Sequence, residues 1–161
     1  MSEKSTNAEI RVDVNYANDL ITDIFKAKSC NDHEARTIAQ RLSGSNLVGH
    51  DSHGIARVPR YVEWMERGWV FPNLKPEVVI DAGAMGCLDA KQGFGQVAGE
   101  YAVDDGITRA KKHGVSVVGL RNSGHLGRIG DWAERAADAG LISFHFVNVR
   151  GSLLVAPFGG S

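Results

Sequence analysis

Residues 115–128 read VSVVGLRNSGHLGR, an apolar run followed by a turn of small residues that carries His125. The run 115–120 is typical of a β-strand, and the small residues after it predict that the strand ends there. In α/β proteins, the loops that follow strands are where side chains meet a ligand. Histidine suits proton transfer near neutral pH, so His125 is a candidate acid/base residue, although a histidine in a turn can equally cap a helix or bond a loop.

Strand and helix patterns alternate around this stretch. The candidate strands are 77–80, 87–89, 115–120 and 141–147, and the candidate helices between them are 97–113 and 129–139. Gly114 and Gly140 stand where helices commonly stop. This alternation predicts an α/β domain with a sheet over residues 77–161.

The N-terminal part carries helical patterns only. We expect 1–13 to be a mobile lead-in, 14–70 to be a helical subdomain on the substrate side, and 71–76 to be a linker. Asn31 is a helix cap with Glu34 at the reciprocal position of a capping box. Pro59 predicts a further helix start, with Val58 before it biased toward an extended conformation. The first helix, 14–29, has apolar residues at helical spacing: Tyr16, Leu20, Ile21, Ile24 and Phe25.

Composition excludes several function classes. The 161 residues have a net charge of -1, so there is no basic field for nucleic acid or a membrane surface. The two cysteines are far apart in sequence and form no C-x-x-C pair, which favours reduced thiols. The start is polar, without a leader pattern, and we find no segment that would span a bilayer, so we expect a cytoplasmic protein.

A second polar cluster, residues 49–57, reads GHDSHGIAR, and Tyr61 follows it. Arg57 carries a planar guanidinium that binds a carboxylate through two hydrogen bonds, which suits a ligand with a carboxylate group. A solvated polar segment is the plain alternative. A metal site at His50, Asp51 and His53 is a weaker alternative, because these are only two histidines and one carboxylate within four residues and no further clear ligand is evident.

Residues 93–98 read GFGQVA and match the permissive dinucleotide fingerprint G-x-G-x-x-A before a helix. That fingerprint needs an acidic residue at the end of the next strand, about 20 residues on, and this strand ends in Arg121 and Asn122 instead. We therefore interpret the glycines as a packing turn between a helix and the sheet.

Together these segments resemble the malate/L-lactate dehydrogenase family, which is distinct from the better-known lactate and malate dehydrogenases. The matching stretches are GHDSHG with Arg57 and Tyr61, GFGQVA, the His125 turn, and APFGG at 156–160. The closest subgroup is the hydroxycarboxylate dehydrogenases, which carry GRIG after the histidine, as at 127–130. The resemblance implies an α/β fold with a mixed sheet of the sulfolactate-dehydrogenase type, not the usual Rossmann fold.

The resemblance also implies a function and a site. It implies an oxidoreductase that interconverts a small 2-hydroxy acid and its 2-oxo acid with NAD or NADP, without a metal, as a homodimer. His125 would be the acid/base residue. The substrate-side residues would be His53, Arg57 and, more weakly, Tyr61. The cofactor-side residues would be Asn148, Pro157, Gly159 and Gly160 in a nucleotide-binding domain over 77–161.

Family members are roughly twice as long as this chain, so we expect an N-terminal half. The alternative function is a non-catalytic folding or subunit-interface module that becomes a site only with the missing half. An incomplete sheet exposes strand edges and apolar faces, so we expect the isolated chain to aggregate or loosen.

Overall fold

The computed structural model describes residues 11–148. Its helices are α1 (Val14–Ala27), α2 (Asp32–Leu47), α3 (Val58–Glu66), α4 (Gly95–His113) and α5 (Gly130–Asp138). Its strands are β1 (Glu77–Ala82), β2 (Met85–Asp89) and β3 (Val117–Arg121), and two 3₁₀ turns, Asp51–His53 and Ile55–Arg57, join α2 to α3. Within this part of the chain, none of the helices has the length and apolar character of a transmembrane span.

Helix α1 packs on α2 through one narrow apolar stripe. Ile21 and Phe25 are buried, but Tyr16 and Leu20, which have helical spacing in the sequence, are 63% and 48% exposed. The predicted stripe was therefore too wide, because α2 covers only one side of α1. On α2 the facing residues are fully buried: Ala35, Ile38, Ala39 and Leu42.

The start of α2 follows the predicted cap only in part. The Asn31 side chain accepts a hydrogen bond from the Glu34 backbone N–H at 2.9 Å, as expected of an N-cap. Glu34 does not return the bond, because its carboxylate accepts the backbone N–H of Asn73 at 2.7 Å. The Asn73 side chain in turn accepts the Asn31 N–H at 2.7 Å. The linker thus completes the cap, and Asn73 ties it to the helical part.

Helix α3 begins at Val58 and has Pro59 in its first turn, as predicted. Val58 itself is helical, with φ -52° and ψ -51°, so the prediction of an extended residue before the proline was wrong. The 3₁₀ turn Ile55–Arg57 leads straight into α3, and this continuity outweighs the usual bias of a residue before proline.

The three strands form a mixed sheet in the order β1-β2-β3. β1 and β2 are an antiparallel hairpin with a bulge between Val78 and Ile80, and β2 and β3 are parallel. Helix α4 makes the crossover between the parallel strands and ends at Gly114, whose φ is +82°. The predicted α/β class with a helical N-terminal region and a mixed sheet is confirmed.

The predicted strand at 141–147 was wrong, since the structure shows no strand there. The period-two pattern is present, but a strand needs a neighbouring backbone to pair with, and within residues 11–148 the sheet consists of β1, β2 and β3 alone. Its alternate apolar side chains, Ile142, Phe144 and Phe146, are 91%, 83% and 95% exposed.

One hydrophobic core joins the helices to the turn before α4. Phe94 packs edge-on against Phe25, with ring centroids 5.7 Å apart, and also contacts Tyr61 of α3 at 6.1 Å. Val70 from the end of the helical part belongs to the same core. This shared core fixes the position of α3 relative to the His125 turn.

Candidate active site

Four predicted residues from three segments meet in one cluster. The 3₁₀ turns supply His53 and Arg57, α3 supplies Tyr61, and the turn after β3 supplies His125. The rings of His53 and His125 stack with centroids 5.0 Å apart, and the Tyr61 ring lies edge-on to His125 at 6.0 Å. Residues 72 positions apart in sequence thus share one site.

The two 3₁₀ turns are held by Asn46 near the end of α2. Its side-chain oxygen accepts the Ile55 N–H at 2.8 Å, and its amide nitrogen donates to Asp51 at 2.5 Å. The Asn46 amide lies so close to Gly54 that a Cβ there would stand 2.1 Å from it. Asn46 therefore sets the path of the segment that carries His53 and Arg57.

The His125 turn is fixed from two sides. The Gly124 N–H donates to the Gly93 carbonyl at 2.9 Å, and the Trp132 indole donates to the Leu126 carbonyl at 3.1 Å. The His125 carbonyl crosses the start of α4 at Gly95, where an ideal Cβ would be 2.2 Å from it. These contacts fix the backbone of the turn that carries His125.

The GFGQVA glycines serve this packing. Since the His125 backbone covers Gly95, the turn before α4 is closed and does not fit the pyrophosphate of a dinucleotide, which needs open glycine backbone at a helix start. The interpretation of this motif as a packing turn is confirmed.

The His125 ring is held through Nδ1. The Tyr61 hydroxyl lies 2.8 Å from Nδ1, and the Gly127 N–H donates to the same atom at 3.2 Å. Because the backbone N–H can only donate, Nδ1 is an acceptor and the neutral ring carries its hydrogen on Nε2. Within residues 11–148, all hydrogen bonds of this ring fall on Nδ1, which leaves Nε2 for a ligand.

Arg57 is a cation with no carboxylate partner among residues 11–148. Its Nε donates to the Ser52 carbonyl at 2.6 Å, which orients the guanidinium and leaves the two terminal nitrogens for another acceptor. A half-buried, unneutralised guanidinium beside two imidazoles favours an anionic ligand.

Burial and the nearby charges lower the pKa of both histidines, which favours neutral imidazole rings. Burial, then the charge of Arg57 and then His53, lower the pKa of His125 to about 4. Burial also lowers the pKa of His53, with His50 and Arg57 adding to it. Burial raises the pKa of Tyr61 to about 12, against the hydrogen bond from Gln96, so this hydroxyl keeps its hydrogen.

An open hollow of about 420 Å³ borders this cluster on the His53 side. It is lined by Val48, His50, His53, Arg128, Ile129 and Gly130. His125 is not among the lining residues, so the hollow adjoins the acid/base candidate without containing it. In residues 11–148, no three His, Cys, Asp or Glu side chains are grouped as ligands for a metal ion.

The predicted cofactor residues are not part of this cluster as described. Asn148 is exposed at the end of the described segment. Pro157, Gly159 and Gly160 lie outside the described residues, so their predicted role stays a prediction.

Sequence reasoning missed two residues that build the site, Asn46 and Gln96. Gln96 is 1% exposed and donates from its amide nitrogen to the Tyr61 hydroxyl at 2.7 Å. A signal was present, since Gln96 is a polar residue between the apolar residues Phe94 and Val97 at a helix start, a position where burial requires a hydrogen-bond partner.

Comparisons with known proteins place the chain in a family. The family model for malate/L-lactate dehydrogenase matches residues 12–161. Hydroxycarboxylate dehydrogenase B of Escherichia coli O157:H7 is 43% identical over 150 residues, which cover 93% of this chain and 42% of that protein. L-lactate dehydrogenase of Cupriavidus necator is 35% identical over 152 residues, covering 94% of this chain and 44% of that protein.

Among solved structures, sulfolactate dehydrogenase from Methanocaldococcus jannaschii superposes with a TM-score of 0.77 at 31% identity. The match covers 80% of this chain and 38% of that one. The chain thus spans less than half the length of the relatives it matches. Since the family model covers nearly all of its sequence, the chain belongs to the malate/L-lactate dehydrogenase family.

Proposed function

We propose that this chain carries the substrate-binding and proton-transfer residues of an NAD- or NADP-dependent oxidoreductase that interconverts a small 2-hydroxy acid and its 2-oxo acid. The observation that carries the proposal is the pairing of two features in one cluster. His125 is anchored through Nδ1 so that Nε2 is left for a ligand, and Arg57 is a nearby cation without a carboxylate partner in the described part of the chain.

Arg57 would bind the carboxylate of the acid. Its Nε is already engaged by the Ser52 carbonyl, so the two terminal nitrogens form the fork that pairs with two carboxylate oxygens. Two parallel hydrogen bonds fix the carboxylate plane, and with it the position of C2 relative to His125. His53 stacks on His125 and borders the adjoining hollow, where a substituent on the acid has space.

His125 would exchange the proton of the oxygen at C2. In the reduction direction the ring, protonated on both nitrogens, gives the Nε2 hydrogen to this oxygen, and in oxidation Nε2 takes it back. A bound carboxylate offsets the charge of Arg57, one of the causes that hold the pKa of His125 low. Ligand binding should therefore raise that pKa toward the range in which the ring exchanges a proton.

The cofactor part of the proposal rests on family membership alone. The glycine turn before α4 does not fit a dinucleotide, and we derive no step through the nicotinamide. Asn148, Pro157, Gly159 and Gly160 stay its predicted contacts. The homodimer, the cytoplasmic location and the assignment of 14–70 to the substrate and 77–161 to the nucleotide likewise stay predictions.

The test is oxidation of NADH and NADPH with a panel of 2-oxo acids, on the gene product and three variants. His125→Ala should abolish turnover. Arg57→Lys should raise KM for the acid by about ten- to a hundredfold, because a single ammonium replaces a two-point fork. Arg60→Lys, an exposed residue on α3, is the matched control and should change neither constant.

Turnover that is indifferent to His125, or an equal effect of the Arg57 and Arg60 variants, would remove the proposed mechanism. The panel also tells which 2-oxo acid is preferred and whether NADH or NADPH is used.

A second candidate, a folding or subunit-interface module without activity of its own, is favoured by the exposed apolar side chains of segment 141–148. Such side chains are typical of a surface that another part of a protein covers. Titration of residues 1–161 with NADH and NADPH separates the two. Nucleotide binding by residues 1–161 supports the first candidate, and no binding supports the second.

A further inference from the structure

The amide of Gln96, the second residue of α4, has no role in the proposed mechanism. Its nitrogen donates to the Tyr61 hydroxyl at 2.7 Å, and that hydroxyl is 2.8 Å from Nδ1 of His125. Its oxygen, Oε1, is buried and has no hydrogen-bond partner within the described residues. A buried amide oxygen without a hydrogen-bond partner costs folding free energy, so its presence calls for an explanation.

The hydrogen bonds in this row have one direction. Because the Gln96 nitrogen can only donate, the Tyr61 oxygen is the acceptor there, and the Tyr61 hydrogen points to His125. Nδ1 therefore accepts, and the neutral ring holds its hydrogen on Nε2. This arrangement suits a ring that donates a hydrogen bond to a carbonyl oxygen.

Proton uptake needs the opposite direction. For Nε2 to act as a base, the hydrogen must be on Nδ1. Nδ1 must then donate to the Tyr61 oxygen and give up the longer bond from the Gly127 N–H, which is 3.2 Å in the resting ring. The Tyr61 hydrogen then needs an acceptor of its own. A half-turn of the Gln96 amide places Oε1 where the nitrogen stood and supplies that acceptor, whereas a hydrocarbon at this position supplies nothing.

We propose that Gln96 is a positioning residue which, through Tyr61, sets the ring nitrogen of His125 that carries the hydrogen. Its amide turns over when Nδ1 changes from hydrogen-bond acceptor in the resting neutral ring to donor in the protonated ring and in the base that the protonated ring leaves. The proposal rests on the proposed acid/base role of His125. The titratable and charged neighbours of the ring in the described residues are His53 and Arg57 from the 3₁₀ turns and Tyr61 from α3. None of these titratable or charged groups lies on α4, so the influence of α4 on the ring passes through the hydrogen bond from Gln96 to Tyr61.

The test is NMR of the gene product with ¹⁵N-labelled histidine, since the imidazole nitrogen shifts report the tautomer and the pKa without substrate or turnover. The variants are Gln96→Leu, Gln96→Glu, Tyr61→Phe and the double variant of Tyr61→Phe with Gln96→Leu. Gln40→Leu, an exposed glutamine on α2, is the matched control.

We expect the unsubstituted ring to hold its hydrogen mainly on Nε2. Gln96→Leu should move the tautomer ratio toward Nδ1 by about three- to tenfold, the effect of one net hydrogen bond. Gln96→Glu places an acceptor next to Tyr61 and should make Nδ1 the main site and raise the His125 pKa. In the Tyr61→Phe background, Gln96→Leu should have no further effect.

An unchanged ratio in Gln96→Leu, or an equal effect of that substitution with and without the Tyr61 hydroxyl, would overturn the proposal. If Gln96→Glu fails to fold, the Leu and Phe variants still decide it. A Gln96-dependent tautomer in a gene product that reduces no 2-oxo acid would refute the proposed function and leave the linkage standing.

Discussion

The carbonyl oxygen of His125 crosses Gly95 so closely that a Cβ on Gly95 would stand 2.2 Å from it. The absence of a side chain at Gly95 therefore lets the candidate acid/base residue sit where it does. A motif that matches a nucleotide fingerprint by spacing serves here to bring two backbones together.

The first prediction follows from that contact. Gly95→Ala should destabilise the fold by about 1–3 kcal/mol, the usual cost of overpacking against backbone that cannot give way. The measurement is the free energy of unfolding from urea denaturation. Gly44→Ala is the matched control, since a Cβ on that α2 glycine meets nothing within 4 Å. There the substitution should stabilise by about 0.5–1 kcal/mol, and equal effects at both sites would contradict the close approach.

The second prediction concerns the Asn46 amide against Gly54. Gly54→Ala alone should cost about 1–3 kcal/mol, because its Cβ would overlap the amide. In an Asn46→Ala background that overlap is gone, so the same substitution should cost much less. A double-mutant cycle from four unfolding free energies measures the coupling. Additive costs would show that the amide does not hold the 3₁₀ turns as described.

The third prediction concerns pH. His125 has a folded-state pKa of about 4, below its usual value of 6.5, so the unfolded chain binds a proton first as pH falls. Its contribution to stability is complete above pH 6.5 and is lost as pH falls from 6.5 toward about 4. His125→Asn should flatten this part of the stability profile by about 1–2 kcal/mol, less than the full shift because the ring is only half-buried. An unchanged slope would mean that another group is responsible.

The fourth prediction concerns Glu34, whose pKa is raised by burial and which accepts the Asn73 N–H. Glu34→Ala should cost about 0.5–1.5 kcal/mol, because it removes the acceptor of the Asn73 N–H in a part-buried hydrogen bond. Glu34→Gln keeps an acceptor and removes a buried charge, so its unfolding free energy at pH 7 should equal or exceed that of the original chain. Equal losses in the two variants would show that the negative charge, not the presence of an acceptor, matters.

Local signals predicted most of the helices, whereas the residues of the candidate cluster were named mainly through the family resemblance. The Asn31 cap, the Pro59 helix start and the Gly114 helix end depend on neighbours in sequence, and the structure confirms them. Asn73 could not be assigned in this way, because its bond to Glu34 joins residues 39 positions apart. The link from Gln96 to Tyr61 spans 35 positions and depends equally on packing. The strand at 141–147 failed for a related reason, since its alternation says nothing about a partner strand.

The position of Phe94 has a consequence for motion. Its ring belongs to the sheet-bearing part by sequence but packs against Phe25 and Tyr61 of the helical part. A hinge-like opening at residues 71–76 would have to withdraw this ring into water, at a cost of about 2 kcal/mol before any other contact is lost. A protease cut in that linker should accordingly yield two pieces that elute together under native conditions.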